Sequence, residues 1–142
     1  MTSQIRIADE EAISSIRPQY HFRPAPEGLL AWDVRRLGRL SRELPVQAVP
    51  LSQIAELDSV HWYGHGSVKP TVRSIIEHCQ LMLAADLAYP IILDSAGRVM
   101  DGMHRVSKAL MQGATQITAV QFERDPAPDY VDCDPDLLPY DD

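Results

Sequence analysis

One stretch constrains the fold of this chain more than any other. Pro90 to Gly113 reads P-I-I-L-D-S-A-G-R-V-M-D-G-M-H-R-V-S-K-A-L-M-Q-G. Ile91-Ile92-Leu93 is an apolar run of strand length, Asp94-Ser95-Ala96-Gly97 is turn chemistry, and Arg98-Val99-Met100 reads as the returning strand. A helix follows almost at once, with Val106, Ala109 and Leu110 inward and Gly113 closing it. A hairpin that empties into a helix through Asp101-Gly102 needs a tight corner, and the glycine permits one.

The surrounding chain extends this pattern. Val46-Gln47-Ala48-Val49 alternates like a strand, and Leu51 to Leu57 reads as a short helical turn with Ser52 as its cap. Pro70 opens a helix at a first-turn position, with an apolar stripe of Val72, Ile75, Ile76, Cys79, Met82 and Leu83. Ile117 to Phe122 is a further strand. The order from Val46 onward is strand, helix, strand, turn, strand, helix, strand. That predicts a compact α/β (α+β) domain over residues 46–124 with a small mixed sheet.

Residues 1–45 read as an N-terminal helical extension: an arm with a short helix near Glu10 to Ile16, then a helix from Leu29. The stripe of that second helix is Leu30, Val34, Leu37, Leu40 and Leu44, and Pro45 ends it. Arg35, Arg36, Arg39 and Arg42 lie off the stripe, as on a solvated outer face. Residues 125–142 hold four prolines and seven aspartates with no base, an extended acidic tail. The chain's net charge of −7 is therefore a tail property; the 124 residues before it balance 13 bases against 13 acids. A neutral body argues against nucleic-acid binding by overall charge.

Two cysteines, Cys79 and Cys133, make neither a disulfide framework nor a C-x-x-C pair, which fits a reduced compartment. The N-terminus has no apolar core of a secretory signal, and the longest strongly apolar run, Leu81 to Ala85, is far short of a membrane span. A soluble cytoplasmic protein is the expectation. His61, His65, His78 and His104 raise the question of a metal, but no cysteine pair completes a tetrahedral zinc set.

The start of the second strong helix carries the chemistry. Backbone N–H groups there have no intrahelical acceptor and attract anions. Gly102 and Met103 place the backbone, Arg105 offers a guanidinium fork, His104 a further donor, and Lys108 shares their face. These residues make a phosphate cradle. Asp101 stands beside it, where a carboxylate either meets phosphate through Mg²⁺, acts as acid or base, or caps the helix. The loop His61-Trp62-Tyr63-Gly64-His65-Gly66-Ser67-Val68-Lys69-Pro70-Thr71 resembles a ligand-facing surface. Trp62 either stacks on a base or fills the core, and Lys69 and Thr71 are contacts for substrate or base unless Thr71 serves as a cap. His78 is either a structural histidine or one turned toward the motif.

The segment Asp101-Gly102-Met103-His104-Arg105, with P-I-I-L before it and K-A-L-x-x-G after it, resembles the ParB/sulfiredoxin superfamily. The upstream V-Q-A-V-P-L-S-Q-I looks like that superfamily's opening strand and turn, so the resemblance spans about Val46 to Glu123. It implies a nucleotide-binding domain, with ATP, ADP and CTP all represented among its branches. Met103 stands where sulfiredoxins carry their cysteine, and a thioether cannot form a thiolate, so sulfiredoxin activity is not expected. The motif is closest to the free serine kinase branch. On that likeness Gly102, Met103, His104, Arg105 and Lys108 hold phosphates, Asp101 binds Mg²⁺ or joins in transfer, and Glu56 draws the proton from a small hydroxyl substrate. The alternative is a non-catalytic, nucleotide-responsive interaction module or a DNA-associated one. A homodimer is a further possibility that the residue pattern does not locate.

Overall fold

The computed structural model describes residues 19–64 and 68–140. In chain order these form β1 (Tyr20–Ala25), β2 (Gly28–Asp33), α1 (Val34–Leu40), β3 (Gln47–Pro50), α2 (Val72–Ala84), β4 (Ile91–Leu93), β5 (Val99–Asp101), α3 (Met103–Met111) and β6 (Gln116–Gln121). Single 3-10 turns cover Leu51–Gln53, Ala55–Asp58 and Pro135–Leu137. Strand order in the main sheet is β3-β6-β4-β5. β4 and β6 run parallel, and the two outer pairings are antiparallel. This is the mixed sheet that the element order predicts, in an α+β fold.

The uninterrupted apolar run Ile91-Ile92-Leu93 follows from burial on both sides of the sheet. Ile91 and Leu93 face α3, joining Val99, Val106 and Ala119 in one core cluster. Ile92 points the other way, to Trp32, Leu37, Met100, Val120 and Phe122. β5 is an edge strand, and Glu56 closes part of that edge: its Oε2 accepts from Val99 N–H at 2.6 Å.

The second face is covered by chain that the periodicity misreads. The expected helix from Leu29 to Leu44 is a strand as far as Asp33, paired antiparallel with β1, and the helix starts only at Val34. Leu30 fits the helical stripe but belongs to β2, because the β1 partner satisfies that backbone and buries Ala31 and Trp32. Asp33 marks the change, its Oδ1 accepting from Arg35 N–H at 2.9 Å. The expected helix at Glu10 to Ile16 lies outside the described residues.

The tail folds back onto this hairpin. Ala31 N–H donates to Tyr130 O at 3.0 Å, and Trp32 Nε1 donates to Pro126 O at 2.8 Å. Arg36, expected on a solvated face, instead reaches Ala127 O at 2.7 Å and Asp129 at 3.3 Å. Arg23 bridges Asp125 at 3.0 Å and the buried Asp94 at 2.5 Å. Part of the tail's acidity is thereby neutralised by the hairpin.

Pro50, not Ser52, precedes the first 3-10 turn, which has no side-chain cap. Pro70 lies one residue ahead of the Thr71 cap of α2 rather than inside its first turn. Leu110 is 51% exposed, while Val106 and Ala109 are buried as expected. No described helix is long and apolar enough to cross a membrane.

Candidate functional site

β5 passes to α3 through Gly102, which sits at φ +116° in the left-handed region. A Cβ built there would lie 2.5 Å from Ile91 Cγ2, so the corner excludes a side chain by both conformation and space. Gly102 O accepts from Val106 N–H at 2.9 Å and begins the helix. No side chain caps that start, and no acid stands in its first turn. The other two helices do have caps, Asp33 for α1 and Thr71 for α2. Asp101 is thus not the helix cap; its Oδ2 accepts from Arg105 Nη2 at 2.8 Å.

Arg105 is spread over three acceptors. Besides Asp101 it donates through Nη1 to Tyr89 O at 3.1 Å and Pro90 O at 2.7 Å. The guanidinium fastens the first turn of α3 to the chain entering β4. Lys108 Nζ donates to Leu83 O at 3.0 Å and Ala85 O at 2.7 Å, capping the C-terminal carbonyls of α2. Met103 is buried in the core beneath the helix start.

Above that start lies an aromatic assembly from three separate segments. His78 Nδ1 and His104 Nε2 are 2.8 Å apart and share one hydrogen bond. The Trp62 indole lies flat over both imidazoles, at 4.3 Å from His78 and 4.8 Å from His104. Tyr63 meets His78 edge-on, and its hydroxyl is 3.0 Å from Ser74 Oγ. Burial pushes the His104 pKa down to about 4, helped by the cost of protonating it beside His78 and His61 and by the neighbouring Arg105 guanidinium. Burial also lowers His78, against the pull of Glu77. Both rings are therefore neutral at pH 7, one donating and the other accepting.

The structure brings Trp62, His78 and His104 together, with Asp101, Gly102 and Arg105 on the adjoining turn. It places the remaining candidates elsewhere. Glu56 lies along the β5 edge on Val99 N–H, and Thr71 caps α2 by accepting from Ser74 N–H at 3.1 Å. The Lys69 side chain is exposed just before that cap.

Trp62 also borders an open cleft of about 660 Å³. Tyr20 and Phe22 of β1, Met100 of β5 and Tyr140 of the tail complete much of its wall. Sequence reasoning singled out Trp62 but none of those partners, which come from more than 35 residues away on either side. No local signal marks them; only the hairpin and the returning tail place them there.

Among the described residues no group of three or more His, Cys, Asp or Glu side chains is placed to hold a metal. Asp101, the expected Mg²⁺ contact, is paired with Arg105. Among the described residues no further carboxylate or histidine joins it in a Mg²⁺ cage. Compared with known families, curated proteins and solved structures, the chain finds no match in any of the three.

Proposed function

We propose that this chain binds the phosphate of a nucleotide at the start of α3, as its likeness to the ParB/sulfiredoxin superfamily implies. One observation carries the reading: α3 alone among the three described helices starts without a side-chain cap, and like the other two it has no acid in its first turn. The first-turn N–H groups at Met103, His104 and Arg105 then form the anion-attracting end of the helix dipole. Arg105 and Lys108 act here by positioning α3 and α2, since their donors already meet protein acceptors. Any Mg²⁺ would arrive with the phosphates and take at most one carboxylate, Asp101, from the protein.

Binding without phosphoryl transfer is the reading we favour, because the expected general base Glu56 is committed to Val99 N–H. Two free thiols fit a reducing, cytoplasmic setting for such a module. The test is a thermal-shift panel of ATP, ADP, CTP and inorganic phosphate, with and without Mg²⁺. A ligand at a hundred times its Kd stabilises by about 2.7 kcal/mol, which raises the melting temperature by roughly 5–10 °C for a domain of this size. A panel with no shift sinks the site. Turnover of ATP with serine or another small hydroxyl compound would restore the kinase alternative.

A further inference from the structure

The helix α2 turns its apolar stripe away from the described body. Its contacts to the body include Ser74 to Tyr63, His78 to His104 and to the rings of Trp62 and Tyr63, and its last carbonyls to Lys108. The face that meets α3 is thus the Ser74, His78, Met82 and Ala85 side. Val72, Ile75, Ile76, Cys79 and Leu83 lie about a third of a turn round the helix from it, by the 100° step between residues. Not one residue of α2 is buried. Val72 is 76% exposed, Leu83 69%, Ile76 52% and Ile75 47%. A 13-residue helix has little stability of its own in water and normally depends on packing its apolar face.

The exposed stripe has a repeat of its own. Val72, Ile76, Cys79 and Leu83 are spaced 4-3-4, the spacing with which one helix packs along another. An antiparallel copy centred between Ile76 and Cys79 sets Val72 against Leu83 and Ile76 against Cys79, in both directions at once. The same register carries Lys69 and Arg73 of one copy toward Asp86 beyond the other's C-terminus, and it opposes the two helix dipoles. The stripe exposes on the order of 500 Å² of apolar surface, at the upper end of the patches that monomers tolerate. With the flanking stems of Arg73 and Gln80, a symmetric pair buries roughly 1,200 Å² in total, the lower bound for a specific interface. A membrane surface is a poorer occupant, since α2 carries a single arginine and no lysine along its length.

We propose that this face of α2 is a two-fold interface, covered by α2 of a second copy of the chain in antiparallel register. Sedimentation equilibrium of the full chain over about 1 µM to 1 mM, the range set by so small an interface, tests it. The expected result is a mass rising with concentration from 15.9 kDa to twice that value. Ile76→Glu and Leu83→Glu should each hold the chain at 15.9 kDa while leaving its circular dichroism unchanged, because both positions are open in the monomer. A monomer throughout the range overturns the proposal, as does a dimer that survives both substitutions. A monomer that dimerises only once residues 1–18 are removed also overturns it, by showing that the chain's own first segment covers the face.

Discussion

α2 and α3 are neighbouring amphipathic helices, and they use their apolar residues in opposite ways. α3 buries Met103, Val106 and Ala109 against the sheet and leaves its start uncapped. α2 is capped by Thr71, buries nothing, and turns its apolar stripe outward. The inner helix is held by its core face, so its first turn is free of any stabilising cap. The outer helix is held by a cap, a few hydrogen bonds and the Trp62 and Tyr63 rings against His78, and its apolar stripe stays exposed. Apolar periodicity identifies both helices equally well, but it says nothing about which layer each one occupies.

Substitutions should separate the two. Val106→Asp puts an unpaired charge at a fully buried site and should cost about 4 kcal/mol or more, enough to unfold the chain. Ile76→Asp on the half-exposed face should change monomer stability by no more than about 0.5 kcal/mol. Urea melts at low concentration compare them, and similar losses would break the distinction.

Gly102→Ala comes next. A left-handed φ and a Cβ 2.5 Å from Ile91 Cγ2 should together cost about 2–4 kcal/mol. A value near zero in the same melts would mean that the corner relaxes and that the α3 start is not rigidly placed.

The smallest effect concerns pH and the contact that joins the two helices. The pKa of His104 falls from 6.5 in the free residue to about 4 in the fold, and that of His78 is lowered too. Between those values the unfolded chain binds more protons than the folded one. Stability is therefore complete above pH 6.5 and falls as the pH drops toward about 4. His104→Gln should flatten that part of the profile in melts run from pH 7 to pH 4, at the limits set by the shift. An unchanged slope would mean that the imidazole pair does not control the α2–α3 contact.

How far the residues themselves reveal this arrangement varies along the chain. Ile91 to Gly113 is legible because hairpin, corner and helix are encoded by neighbours: Asp94 and Gly97 for the turn, Gly102 for the corner, Gly113 for the stop. Leu30 to Asp33 is not, because β2 depends on pairing with β1 and on tail residues about a hundred positions away. The candidate site divides in the same way. Gly102, His104 and Arg105 stand out in sequence, yet the use of Arg105 on the Tyr89 and Pro90 carbonyls does not.

By itself the sequence determined the order of elements from Val46 and the tight corner at Gly102 that opens α3. These rest on local conformational preference and on periods of two and 3.6 residues, which neighbours along the chain suffice to set. Only the tertiary structure decided that Trp62 covers the His78–His104 pair, that the acidic tail closes over the hairpin, and that the stripe of α2 faces water. Those outcomes depend on which distant surfaces meet, and the free energy of such contacts is not written in any one segment.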